Sequence, residues 1–175
     1  YAQYPGLAED QAVAAAEAAG SALAVQVNRI AAAGGKVLLG KVLDLGQTPF
    51  GLNEKATHTD TDRARLLTRL AARFNAKLRV DIVNDGRKIG LVQTDERIQT
   101  MVSFPGTFGF TNVTEAACLS TVVAPNCTSL TLVTDSSGNL ATANGYLWAD
   151  SLNLSPGGQF RLGEIGSSVA HNNPF

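Results

Sequence analysis

The sequence predicts an α/β fold in which helices pack on a largely parallel sheet. Three features carry that prediction. Two short runs, residues 36–43 and 88–93, are nearly continuously apolar and rich in Val, Ile and Leu, as strands buried on both faces of a parallel sheet are. Segments with helical apolar spacing alternate with them, giving the order helix, strand, helix, strand, helix. The chain has 175 residues, 45% of them hydrophobic, which suits one compact domain or a large piece of a bigger one.

The first helix is expected over residues 9–33, with Val13, Ala16, Leu23, Val27 and Ile30 on its apolar side. Gly34 and Gly35 stop it, since glycine readily takes the conformation that closes a helix. The strand at 36–43 leads into the turn "DLGQTPFG". A second helix, capped by Thr59 or Asp60 and favoured by Asp62 in its first turn, is expected to run to Gly86. Its stripe is Leu66, Leu67, Leu70, Phe74, Leu78 and Ile82; a hairpin turn at Asn84-Asp85-Gly86 is the alternative. A strand at 88–93 and a short helix at 95–102 follow.

Residues 104–144 then change character, with Gly, Thr, Ser, Asn and Pro frequent, and read as a long irregular excursion of a kind that is usually functional. "YLWADSLNLSPGGQFRLGEIG" reads as a loop followed by a last helix. Ser155 is its N-cap, Pro156 its first residue, and Phe160, Ile165 and Val169 its apolar side. Two sheet-like strands are too few, because a doubly wound sheet has about five and a two-stranded core leaves both edges open. Either another chain completes the sheet or these residues are the C-terminal portion of a larger domain.

Charge and composition exclude several classes. The net charge is −1, from 14 basic and 15 acidic residues, with no basic and aromatic platform, so no nucleic-acid partner is expected. No run reaches the roughly 18 apolar residues of a membrane span. The first residues are polar and no initiator Met is present, so a signal peptide is not expected and the chain reads as a mature or trimmed product. "GKVLLGK" lacks the phosphate-cradling spacing, and no nucleotide cofactor is expected. Cys118 and Cys127 are too few for a metal site with both histidines distant, and a local disulfide in an oxidising compartment is the preferred reading. The sequons at Asn112, Asn126 and Asn153 carry little weight, since such triplets arise by chance.

Four stretches, in order, resemble the C-terminal half of the SGNH, or GDSL-type, hydrolase family of esterases and lipases, in particular its bacterial secreted branch. They are "AAAGGKVLLGKVLDLGQTP", "RFNAKL", "FGFTNVTEAAC" and "YLWADSLNLSPGGQFRLG". The resemblance implies a flavodoxin-like three-layer α/β/α sandwich, of which this chain holds the C-terminal portion. It also implies hydrolysis of carboxylic esters or lipids through an acyl-serine intermediate, without metal or organic cofactor, in a secreted, periplasmic or cell-surface bacterial protein. The family's Asp-x-x-His falls on Asp150 and Asn153, so an amide stands at the histidine position. The Gly-Asp-Ser-Leu nucleophile motif and the oxyanion-hole Gly and Asn blocks are absent from this chain; in the family they lie upstream. A serine hydroxyl needs an adjacent base at neutral pH, and an amide is not one.

Three explanations stay open: a natural pseudoenzyme reused for structure, assembly or binding; an engineered inactivating change; or a base elsewhere, His58 or His171, each of which reads as a surface histidine. Asp44, at a strand end, reads as a turn stabiliser with Gly46 and Pro49 rather than a ligand group, and Asn112 as a loop residue. Trp148 reads as either an acyl-pocket wall or a packed core residue.

Overall fold

The computed structural model describes residues 1, 8–122, 125–135 and 137–172. Among the described residues there are five α-helices and four short strands, the strands pairing as two parallel two-stranded sheets. The mixed α/β class expected from the sequence is observed, with more strand and different boundaries.

Helix α1 spans Glu9–Ala32 and helix α3 spans Arg63–Asp81. They pack side by side through small residues on α1: Ala12, Val13, Gly20, Ala24, Val27 and Ala31 are buried, whereas Ile30, assigned to the apolar side, is 49% exposed. The close approach is set by Gly20. A Cβ there would lie 2.4 Å from the Phe74 carbonyl oxygen of α3. Ala gains about 1 kcal/mol over Gly in a helix interior, but forcing a methyl against backbone costs about 1–3 kcal/mol or more. Gly20→Ala is therefore expected to lower the midpoint of urea unfolding despite its better helix propensity.

The stripe Leu66, Leu67, Leu70 and Leu78 of α3 is buried as expected. The helix ends at Asp81 rather than Gly86, and no hairpin forms there. The cause lies on α1. The Asn28 amide donates to the Asp81 carbonyl at 2.9 Å, and its oxygen accepts from the Val83 N–H at 2.8 Å. These bonds satisfy backbone groups that further helix would have used.

Strand β1 is Val37–Gly40 and pairs in parallel with strand β2, Ile89–Val92. Leu39 and Ile89 face the core shared with Ala24, Val27, Ala31 and Leu78. The first strand is not buried on both faces: Leu38, on the side opposite Leu39, is 46% exposed. Between β1 and α3 the chain forms a helix where its sequence predicts a turn. This is α2, Pro49–Thr57, whose Thr48 hydroxyl caps the Gly51 N–H at 3.1 Å with Pro49 at its first position.

Helix α4, Thr94–Ser103, follows β2. The excursion beyond it is not irregular throughout. Strand β3, Asn112–Ala116, pairs in parallel with strand β4, Tyr146–Trp148, across a register irregularity. Single antiparallel bridges join Cys118 to Leu132 and Thr134 to Leu140. Ile98 and Met101 of α4 pack with Phe110, Leu147, Trp148 and Leu154 in a second core. Trp148 is fully buried, and its indole N–H donates to the Val113 carbonyl at 2.9 Å, so it is a core residue and not a pocket wall.

Helix α5, Pro156–Asn172, packs against β1, β2 and β4. The Ser155 hydroxyl caps it, accepting from the Gly158 N–H at 3.1 Å. Only Gly157 and Gly158 of α5 are buried; Ile165 and Val169 are half-buried, and Phe160, assigned to the apolar side, is 64% exposed. Among the described residues, no helix is long and apolar enough to cross a membrane.

Candidate functional site

Asp150 and Asn153 are brought together at the carboxyl end of β4, immediately before α5. The loop between them is a closed turn. Trp148 and Leu154 bridge antiparallel across it, and the Ala149 N–H donates to the Asn153 carbonyl at 2.8 Å. Two neighbours fix it from outside: the Phe50 N–H of α2 donates to the Ser151 carbonyl at 3.0 Å, and the Cys118 N–H donates to the Ala149 carbonyl at 2.9 Å.

Within the turn the Asp150 carboxylate accepts three hydrogen bonds. The backbone N–H groups of Leu152 and Asn153 donate to one oxygen at 2.9 and 2.7 Å. The Asn153 side-chain amide donates to the other at 2.8 Å. Burial pushes the Asp150 carboxyl up, but these three donors outweigh it and hold the group below the ordinary carboxylate range. Asp150 is half-buried and Asn153 exposed.

This geometry keeps one function of an Asp and imidazole pair and lacks another. The carboxylate is oriented, ionised and hydrogen-bonded to the side chain three residues on. That side chain is an amide, which donates to the carboxylate but takes up no proton at neutral pH. The turn can hold a positioned group and cannot relay a proton.

Neither histidine hydrogen-bonds Asp150 among the described residues. His171 lies in the last turn of α5; a rise of about 1.5 Å per residue puts it roughly 20 Å along the axis from the start of that helix. His58 follows α2, its Nδ1 3.1 Å from the Glu54 carbonyl oxygen and 3.5 Å from the Glu54 carboxylate. It is half-buried rather than a fully exposed surface residue.

Asp44 is 4% exposed and accepts from the Gly46 N–H at 3.0 Å and the Thr68 hydroxyl at 2.7 Å, a turn-stabilising role extended to α3. Asn112, expected in a loop, opens strand β3 and accepts from the Thr114 and Glu115 N–H groups at 3.0 and 2.9 Å, a local structural role. Cys118 and Cys127 form a disulfide with Cα atoms 5.9 Å apart. Among the described residues, no group of His, Cys, Asp and Glu converges as a metal site would require.

A polar cluster at the carboxyl ends of β1 and β2 was missed in the sequence. Lys41 Nζ lies 2.9 Å from Asp95, and the Asn75 amide of α3 brackets the Val42 backbone, donating to its carbonyl at 2.8 Å and accepting from its N–H at 2.9 Å. The available signal was Asn75 itself, a polar residue on the buried stripe of α3 between Ala71 and Leu78.

Several carboxylates are held below their ordinary range: Asp150 by the turn, Glu54 by the Tyr1 hydroxyl, Asp60 by the Arg63 guanidinium, and Asp81 by Lys77. Each therefore has a lower pKa folded than unfolded. Their stabilisation is present above the unfolded carboxylate value, about 4, and is lost as pH falls through the folded values. Thermal scans should give a melting temperature that is flat from about pH 7 to pH 5 and drops below about pH 4.

No protein-family model matches the chain, and no curated protein matches it.

Proposed function

We propose that this chain is the C-terminal portion of an SGNH-type carboxylic ester hydrolase whose proton-accepting histidine position is occupied by Asn153. The observation that carries the reading is the Asp150 carboxylate, ionised, at a strand end and 2.8 Å from the side chain three residues on. An Asp-x-x-His corner requires that arrangement, because the carboxylate orients the base and stabilises its charged form.

The proposed fold is a three-layer α/β/α sandwich lacking part of its sheet. Three features support this. Among the described residues, β1 has one paired edge, toward β2. Helix α5 leaves Ile165 and Val169 half-buried. An apolar recess of about 400 Å³ lies between α1 and α3, lined by Ala15, Ala19, Val42, Leu45, Leu70 and Phe74 among others. An N-terminal half supplying the serine nucleophile would cover these surfaces. The disulfide fits a secreted, periplasmic or cell-surface location, since such bonds persist in oxidising compartments.

Asn153 also favours a second reading: a non-catalytic scaffold that assembles with another chain or a second copy along the open edge. An assay on the intact native product with a short p-nitrophenyl ester separates the two. Activity that appears only after Asn153→His supports the hydrolase reading with a decayed base. Equal activity before and after places the base elsewhere. No activity in either form removes the hydrolase reading and leaves the scaffold.

A further inference from the structure

The excursion between α4 and β4 builds a partly open cavity of about 520 Å³. That lies within the roughly 300–1,000 Å³ of small-molecule sites. Its lining is apolar and made of small side chains: Ala117 and Ala141 are buried, Leu132 is half-buried, and Leu140 lines it from the surface at 61% exposure. Both disulfide cysteines belong to the lining. Among the described residues, no charged side chain does.

The hydroxyls around the cavity are mostly committed to backbone. Thr128 accepts from the Leu130 N–H at 3.3 Å and Thr142 from the Gly145 N–H at 2.9 Å. Ser155 donates to the Tyr146 carbonyl and accepts from the Gly158 N–H at 3.1 Å. The exposed Ser129 hydroxyl has no partner among the described residues. The lining thus offers apolar surface and a few neutral hydroxyls, Ser129 and the O–H groups of Thr128 and Thr142, whose oxygens accept from backbone. A charged head would enter without a counter-charge, at a large desolvation cost.

We propose that this cavity binds a neutral aliphatic chain with a small polar head, of the fatty-alcohol class, and that the Cys118–Cys127 disulfide keeps it in shape. The bond ties Cys118, held to Leu132 by a bridge and to the Ala149 carbonyl at 2.9 Å, to Cys127 on the far side of the loop. Breaking it frees one lining residue from the other. The proposal needs neither nucleophile nor base, so it stands apart from the hydrolase reading.

The test is displacement of the fluorescent probe N-phenyl-1-naphthylamine from the oxidised chain by decyl alcohol, with decanoate at neutral pH as the charged comparator. Decyl alcohol should displace the probe, and decanoate should do so about tenfold or more weakly. Ala143→Trp places bulk in the lining from an exposed position and should weaken alcohol binding about tenfold or more. Leu140→Lys should do the same from the 61%-exposed position. Leu130→Ala, at a 92%-exposed residue outside the lining, should change nothing. Reduction with dithiothreitol should weaken binding while the helical circular dichroism is retained. The proposal fails if decyl alcohol does not displace the probe, if decanoate competes equally, or if neither lining variant nor reduction alters the affinity.

Discussion

In the intact product, Asn153→His should raise kcat/KM for a short p-nitrophenyl ester about a thousandfold or more if the proposed hydrolase reading holds. The size follows from what the amide lacks. Removing one member of a serine triad costs about 10⁴–10⁶ in rate, because the hydroxyl is then attacked by no base and the leaving group receives no proton. The Asp150 carboxylate is already ionised, and two backbone N–H groups from the turn hold it in place. An imidazole at 153 would meet it where the amide now donates at 2.8 Å. Part of the loss is recovered rather than all, since the surroundings are fitted to an amide. Adding Asp150→Asn to the histidine variant should remove the gain, by about 10⁴ in the usual triad. A gain that survives Asp150→Asn would mean that the turn does not orient the base.

Trp148→Ala should lower the unfolding free energy by about 3–5 kcal/mol, the range for truncating a buried aromatic. Two effects add. The fully buried indole leaves a cavity among Ile98, Met101, Phe110, Leu147 and Leu154. The Val113 carbonyl loses its donor at 2.9 Å. Typical domains are stable by about 5–15 kcal/mol, so the variant sits near its folding threshold. Urea titration followed by far-ultraviolet circular dichroism measures the loss. Trp148→Phe, which keeps most of the volume and drops the N–H, should cost about 1–3 kcal/mol. Equal effects from the two would place the energy in the hydrogen bond rather than the packing.

Local patterns foretold some elements well. The Leu stripe of α3, the short apolar run at β2 and the Ser155-Pro156 start of α5 each carry their cause within a few residues. Helix α2 was equally local, with Thr48 and Pro49 in plain view, but the closely spaced Gly46, Pro49 and Gly51 at its start resemble a turn. Other features depend on partners distant in sequence. The end of α3 is set by Asn28, 53 residues from the carbonyl it binds. The three residues of β4 are too few for a period-two pattern to register, and their pairing with β3 crosses the whole excursion.

The candidate site divides in the same way. Asp150 and Asn153 stand three apart on one turn, so spacing was enough to pair them, and the two cysteines closed a loop short enough to bond. What spacing could not give is the direction of the hydrogen bond: the amide is oriented to donate to the carboxylate, occupying its second oxygen. The Lys41, Asn75 and Asp95 cluster joins β1, α3 and the start of α4, and no single stretch of sequence contains it.

The central claim is that the 150–153 turn is a carboxylate corner built to hold a base. NMR titration of the imidazole introduced by Asn153→His, in this chain alone, tests it without any nucleophile. A carboxylate in hydrogen-bonding contact favours the charged ring, so its pKa should lie about one unit or more above the ordinary 6.5. It should return to that value when Asp150→Asn is added. An imidazole that titrates at its ordinary value, and is indifferent to Asp150, would contradict the account.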